Sequence, residues 1–395
     1  MKEVVVVSAV RTPIGKFLGS LASVPAPRLG AAAITAAVER AGVNPDQIQH
    51  VYFGNVLQAG IGQAPARQAA LYGGLPKSTG AVTVNKVCGS GMRALMDASN
   101  AIRVGEWDIA IAGGMESMSN APFVLQGHRQ GHKMGNGQLV DLMINDGLWD
   151  PYGDKHMGNC AELCAAKYGF SREDQDAFAL QSYERAQAAV KDGRFNDELV
   201  RVEIPQRKGD AVVVSEDEEP FGAPLEKMGK LKPAFDRDAG TITAANASKL
   251  NDGASALVVM SAEKAKELGL EPIARVVSQG SFAQEPEWFT TAPAAAMKQA
   301  IDRSGLSQND ITRWEINEAF ANVTMAATRE LELDPEQVNV HGGAVALGHP
   351  IGASGARIVT TLLHAMVQDG QRYGCAGICI GGGEGTSVIF ENLKV

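Results

Sequence analysis

The sequence predicts an α/β fold made from a duplicated unit, and three observations predict it. Strand-like and helix-like segments alternate at both ends of the 395-residue chain, the second half repeats spaced residues of the first, and a long stretch of different character separates them. The length fits two or three domains or one large double unit, with ample chain for a core. Hydrophobic residues at 45% and charged residues at 21% exclude a wholly disordered chain. Glycine is frequent, at 44 residues. Without a Gly-x-y period, that excess points to tight turns and close backbone approaches rather than collagen.

Taken in order, Val4 to Val7 is a buried β-branched strand. Arg28 to Ala41 reads as a helix stopped by Gly42. Val51 to Phe53 and Ala81 to Val84 are strands. From Gly89 to about Val104, Met92, Leu95, Met96 and Ile102 recur at helical spacing. Asp108 to Ala112 is another buried strand, ending at Gly113-Gly114. Strand, helix, strand in that order predicts a mostly parallel sheet with helices on its faces. The middle stretch, about Asn120 to Ser248, opens with a Gly- and His-rich loop from Gly127 to Gly137. It continues as a helical stretch from about Gly158 to Asp192, short strands near Val200 to Val202 and Val212 to Val214, and an acidic turn from Ser215 to Pro220. An excursion of this size in a compact double unit covers a site or builds an oligomer contact.

The repeat is explicit. At an offset of 263, Ala37, Arg40, Gly42 and Ile48 match Ala300, Arg303, Gly305 and Ile311. At 264, Ser90, Gly91 and Arg93 match Ser354, Gly355 and Arg357, and at 268, Gly113, Gly114, Glu116 and Ser119 match Gly381, Gly382, Glu384 and Ser387. In that register Cys88 faces Gly352 and Cys379 faces Ile111, so neither position needs sulfur for the fold. The matched glycines and arginines read as packing and turn residues.

A net charge of −9 argues against a general nucleic-acid or anionic-membrane binder, while leaving room for a local basic pocket. Five cysteines, Cys88, Cys160, Cys164, Cys375 and Cys379, make no disulfide framework. No apolar run approaches the ~18 residues of a membrane helix. Neither a signal peptide nor a transit peptide is legible, so a reducing cytoplasm is the expected compartment.

Cys88 lies between a strand and a helix start, where helix amides favour a thiolate, and Gly89-Ser90-Gly91 leaves room for a carbonyl to approach. A small buried apolar cysteine is the competing reading. Cys379 ends a strand before Gly381-Gly382-Gly383, whose unshielded amides suit an oxyanion hole. Cys375, about 13 Å back along that strand, cannot pair with it and reads as structural. His156, Cys160 and Cys164 spread over about 12 Å of helix, too far to close on one metal ion. His349, in Gly348-His349-Pro350, is placed like a general base, though a lone loop histidine is ordinarily just solvated.

Together these residues resemble the thiolases. The resemblance is carried by Asn85 to Met92, Gly113 to Ser119, His156-Met157-Gly158, Ala245 to Ser248, Asn251 to Ala254, Asn317 to Phe320, Gly343 to Gly355 and Cys379 to Gly383, in family order over essentially the whole chain. It implies a duplicated α/β/α/β/α unit with mixed sheets and an inserted loop domain. Residues 1–119 would form the first half, 120–248 the loop domain, 249–271 a return to the first half and 272–395 the second half. The implied activity is acetyl-CoA C-acetyltransferase: reversible Claisen condensation of two acetyl-CoA to acetoacetyl-CoA plus CoA through an acetyl-Cys88 intermediate.

In that reading Cys88 is the nucleophile and His349 takes its proton. Cys379 deprotonates the second acetyl-CoA, while Asn317 and His349 stabilise the enolate. The amides of Cys88 and Gly381 hold the oxyanion. Leu148, His156, Met157, Ser248, Leu250, Ala319 and Phe320 would contact CoA. Its partners would be acetyl-CoA, acetoacetyl-CoA and CoA, with no nucleic acid, membrane, cofactor or metal, in a homo-oligomer that is a dimer or tetramer.

Three departures from the family pattern stand out. Glu219-Pro220-Phe221-Gly222 lacks a phosphate-side Arg, for which Lys227, Lys230 or Arg207 could substitute. Phe289 to Pro293 replaces a Met–Gly before Gly–Pro, and Glu384 follows the triple glycine. The competing functions are a 3-ketoacyl-CoA thiolase of broader chain length, a catalytically silent acyl-CoA binder, and a β-ketoacyl-carrier-protein synthase, which the second cysteine opposes.

Overall fold

β-Branched and small residues at the start of each half build the strands on which the architecture turns. The computed structural model describes residues 1–395 and places nine of its strands along one path in a ten-stranded sheet. They are β1 (Val4–Arg11), β2 (His50–Gly54), β3 (Gly80–Val84), β4 (Ile109–Ser117), β5 (Asn251–Ser261), β6 (Ala274–Ala283), β7 (Arg313–Ile316), β8 (Tyr373–Ile380) and β9 (Glu384–Asn392). The tenth, Gly15–Lys16, pairs with β5. The order is β7-β8-β9-β6-β1-β5-β4-β2-β3. The expectation of a mostly parallel sheet is corrected: only β2–β3, β2–β4 and β7–β8 are parallel. A three-glycine turn leaves β9 no course but a hairpin return along β8.

The duplication is visible in this order. Outward from the centre, β1-β5-β4-β2-β3 has the counterpart β6-β9-β8-β7, and a parallel bridge from Trp314 to Val338 stands where β3 pairs with β2. The halves join where Val5 and Val6 of β1 pair antiparallel with Arg275 and Ala274 of β6. Both strands carry an irregularity at the same place, between Val6 and Ser8 and between Val276 and Ser278. The serine after each donates to a helix carbonyl: Ser8 to Ala37 at 2.6 Å and Ser278 to Ala300 at 2.7 Å. Those alanines are one of the pairs matched in sequence.

The 268 offset does not survive. Phe53 pairs with Gly113 and Ile316 with Gly377, and the 263 offset takes Phe53 to Ile316. Gly113 therefore corresponds to Gly377, and the twin of Cys379 is Met115 rather than Ile111. A local Gly-Gly match had drawn the alignment four residues out of register.

Eight helices matter here: α1 (Ala26–Ala41), α2 (Pro65–Tyr72), α3 (Ser90–Val104), α4 (Met157–Tyr168), α5 (Arg172–Lys191), α6 (Ala292–Ser304), α7 (Ala321–Glu330) and α8 (Ile351–Gln368). The expected helix from 158 to 192 is two, because Gly169 closes α4 with φ 65° and Ser171 and Asp174 form a capping box that starts α5. The apolar stripe of α3 (Met92, Leu95, Met96, Ile102) meets Ile358, Val359, Leu362 and Met366 of α8 over one face of the sheet. Close approach rests on the matched glycines: a Cβ on Gly91 would lie 2.7 Å from Ala356 N, and one on Gly355 would strike Met92. The matched arginines diverge, since Arg93 pairs with Asp97 on the surface while Arg357 is buried beside Glu315.

Between β4 and β5 the chain leaves the sheet. A hairpin (Phe123–Leu125 with Leu139–Asp141) flanks the Gly/His-rich segment, and a second pairs Val202–Ile204 with Val212–Val214. The first strand of that second hairpin begins two residues later than expected. Buried Arg11 of β1 holds this excursion through Glu198 at 2.5 Å and bidentate Asp217 at 2.7 and 2.9 Å. No helix is long and apolar enough to cross a membrane.

Candidate active site

Residues 85–89 turn the chain from β3 into α3 through a strained corner. Val87 adopts φ 45°, a left-handed conformation rare for a β-branched residue. Ser90 pins the corner: its Oγ accepts from Lys86 N at 2.8 Å and donates to Val87 O at 2.6 Å. Gly89 lets the corner press on Ile380 at the end of β8, where any Cβ would collide with the Ile380 side chain. Cys88 is thereby held against the turn that follows Cys379. Burial pushes the Cys88 thiol up to about 12, although the nearby amides of Gly381 and Cys88 itself pull the other way. The expectation that the helix start would favour a thiolate is corrected: desolvation outweighs those amides, so the unliganded site holds a thiol.

Cys379 is fully buried at the end of β8, among Met157, Cys160, Phe289, Ala319 and Phe320. Its thiol is raised well above the ordinary value by burial and then by the neighbouring Cys88. The two sulfurs are electrostatic neighbours.

His349 is buried, with its backbone N–H donating to Asn251 Oδ1 at 2.8 Å and its Nδ1 2.6 Å from Ser354 Oγ. Ser354 Oγ donates to Pro350 O at 2.9 Å, which commits its hydrogen and makes it the acceptor from Nδ1–H. Nε2 then carries the free lone pair, and no protein group bonds it. Burial, with the Arg357 charge, pushes the imidazole down to about 3 and so keeps it neutral. Ile351, two residues on, joins the apolar cluster that Cys88 packs against.

Asn317 follows β7, donating its backbone N–H to Gly377 O at 3.0 Å, and neither polar atom of its buried side-chain amide has a protein partner. Buried unpaired polar groups are costly and rare outside sites that receive a ligand or water.

The residues assigned to CoA divide into two groups. Leu148 and Leu250 pack with Cys88 against Val56, Leu57 and Met143. Met157, Ala319 and Phe320 surround Cys379, and Ser248 N–H donates to Ala319 O at 3.0 Å. His156 caps α4, its Nδ1 accepting from Gly158 N at 3.0 Å, and its ring stacks on Phe235 at 4.7 Å. Lys227, Lys230 and Arg207 are exposed.

Sequence reasoning missed several residues that build the site. Phe235 closes the apolar wall together with Phe289, which the sequence marked only as a departure from the family pattern; their ring centroids lie 6.1 and 6.4 Å from that of Phe320. No local pattern marks Phe235, which sits in a loop. Ser354 was detectable, since the repeat had matched it to Ser90: one twin pins the cysteine corner and the other orients the imidazole. Glu116 accepts from Val56 N, Leu57 N, Asn55 Nδ2 and Gly352 N, joining β4 to the segment after β2 and to the first turn of α8. Glu384, unexplained from sequence, pairs with Lys86 and ties the triple-glycine turn to the cysteine corner. Cys375 is buried with its sulfur 3.2 Å from Ser387 Oγ.

Residues 4–263 match the family of thiolase N-terminal domains and residues 270–392 that of thiolase C-terminal domains. The chain is 54% identical over 394 residues to an acetyl-CoA acetyltransferase of Cupriavidus necator, covering 99% of this chain and 100% of that protein. It is 51% identical to the mitochondrial acetyl-CoA acetyltransferase of Bos taurus, covering 100% of this chain and 92% of that one. The crystal structure of Acat5 thiolase from Ascaris suum in complex with coenzyme A superposes with a TM-score of 0.94 at 47% identity, over 99% of this chain and 100% of that one. A duplicated sheet that brings half-buried Cys88 and buried Cys379 to either side of a glycine turn is thus found where sequence kinship also points, and the chain belongs to the thiolase family.

Proposed function

We propose that this protein is an acetyl-CoA C-acetyltransferase that condenses two acetyl-CoA to acetoacetyl-CoA and CoA, and runs the thiolysis in reverse. The observation that carries the mechanism is the meeting of the Cys88 corner with the turn after Cys379, where Gly89 abuts Ile380 and a Cβ on Gly381 would lie 3.6 Å from Val87. The full-length kinship to acetyl-CoA acetyltransferases supports the substrate.

In the first half-reaction His349 Nε2 takes the Cys88 proton as Sγ attacks the acetyl carbonyl. The amides of Cys88 and Gly381 receive the oxyanion. The thioester of CoA breaks and the proton passes to the departing CoA sulfur, leaving acetyl-Cys88. In the second, Cys379 gives its proton to His349, and the thiolate so formed lifts a proton from the methyl of another acetyl-CoA. Burial that raises this thiol also makes its thiolate a stronger base, better matched to a carbon acid. Asn317 and His349 hold the enolate oxygen while the carbanion attacks acetyl-Cys88. The C–S bond of that intermediate then breaks, His349 returns its proton to the Cys88 sulfur, and the lifted proton stays on Cys379. The cycle closes with atoms conserved.

Met157, Phe289 and Phe320 pack around Cys379, which supports a short acyl chain. Thiolysis of acetoacetyl-CoA should proceed with kcat/KM at least about tenfold above that of 3-ketohexanoyl-CoA, since each surplus methylene in a filled pocket costs about 1–3 kcal/mol. A preference for the longer substrate would contradict the assignment. Exposed Lys227, Lys230 and Arg207 are available for CoA phosphates. Exposed Phe123, Met134 and Leu139 near the hairpin arm support a homo-oligomer, which sedimentation velocity would test.

A further inference from the structure

Lys249 is out of place as an ordinary surface lysine. It is partly buried, and its Nζ donates to two main-chain carbonyls from distant parts of the chain, Ala247 O at 2.8 Å and Val345 O at 3.2 Å. The ammonium also lies 5.6 Å from the Tyr183 ring centroid, at the wall of a cavity of about 280 Å³. A group so placed loses hydration, and the amine is lowered to about 8 by burial, against the opposing pull of Glu219 and Glu318.

Each contact leads to the reacting groups. Ala247 bridges antiparallel to Phe320, and the next residue, Ser248, bonds Ala319, so this turn backs the wall around Cys379. Val345 lies in the short helix Ala344–Leu347, which runs straight into Gly348-His349. Its peptide is held from both ends by opposite charges, because the Val345 N–H donates to Glu318 Oε2 at 3.1 Å while its carbonyl faces the ammonium. Glu219 closes a second route: its Oε1 accepts from Asn251 Nδ2 at 2.9 Å, and Asn251 Oδ1 accepts the His349 N–H. Two carbonyls bind one cation, and two carboxylates act on its charge without pairing with it.

We propose that Lys249 is a positioning residue whose ammonium acts as a built-in cation, coupling the turn behind Cys379 to the loop that aims His349. The proposal rests on the acetyltransferase reading above. It assigns the charge, not the length of the side chain, as the working feature, because the carbonyls need a cation that any small monovalent ion could imitate.

The test replaces Lys249 with Met, Gln and Ala and follows kcat and KM for acetoacetyl-CoA thiolysis. Two charge-assisted hydrogen bonds are lost, so kcat/KM of folded Lys249→Met should fall about tenfold or more. Lys249→Gln, which still donates but is uncharged, should fall similarly. Ammonium chloride should restore most of the loss in Lys249→Ala, whereas tetramethylammonium chloride, too large for the vacated place, should not. Should Lys249→Met not fold, the Gln and Ala variants decide. Wild-type kinetics in the uncharged variants, recovery equal in the two salts, or a loss that ammonium does not repair each overturns the proposal. An inactive wild-type protein would instead sink the acetyltransferase reading.

Discussion

His349 illustrates how a residue acquires a role through its neighbours. Ser354 commits Nδ1, so Nε2 is left to accept a proton. Ser354→Ala should release the tautomer and lower kcat/KM about tenfold or less, the worth of one hydrogen bond, while Ser354→Thr, which keeps the hydroxyl, should restore it. The pH dependence follows from burial. With its pKa pushed down to about 3, His349 stays neutral as pH falls, so kcat/KM should lack an acid limb near the ordinary imidazole value of about 6.5. A limb centred there would refute a buried base. Stability carries the opposite mark. Between about 3 and about 6.5 the unfolded chain binds the extra proton, so this group's burial erodes stability as pH falls through that window, and His349→Asn should flatten the slope in urea titrations. Cys379→Ser should depress condensation by about 10²- to 10⁴-fold, the usual reach of a general base, while leaving Cys88 able to accept acetyl.

At the scale of elements, the sequence revealed the β-branched and helical segments because their periodicity reports burial directly. Val4 to Val7 and the α3 stripe fall inside β1 and α3, and the expected strand from Asp108 to Ala112 overlaps the start of β4 from Ile109. Strand direction was not legible, since it depends on how far the chain travels before pairing. The break between α4 and α5 was present in Gly169 and Ser171 yet hidden by a continuous Ala- and Glu-rich pattern. The element contacts make two predictions. Gly91→Ala should destabilise the fold by about 1–3 kcal/mol through overpacking at the α3–α8 crossing. Arg11→Met should cost about 3–5 kcal/mol, because Glu198 and Asp217 would be left buried and unpaired. Chemical denaturation measures both, and surface-like losses below about 0.5 kcal/mol would contradict them.

At the scale of the molecule, duplication explains why so much of the site could be read beforehand. Where the halves agree, at Gly91 and Gly355 or Ala37 and Ala300, the shared residues serve packing; where they differ, at Cys88 and Cys379, they are free for chemistry. Phe235 and Lys249 escaped because their neighbours come from remote segments with no counterpart in the repeat. The most direct test of the whole scheme is peptide mass spectrometry after exposure to acetyl-CoA alone. Acetyl should appear on the Cys88 peptide in the wild-type protein and in Cys379→Ser, and vanish in Cys88→Ala. A folded wild-type protein that carries no acetyl group, or carries it on Cys379, would contradict the account.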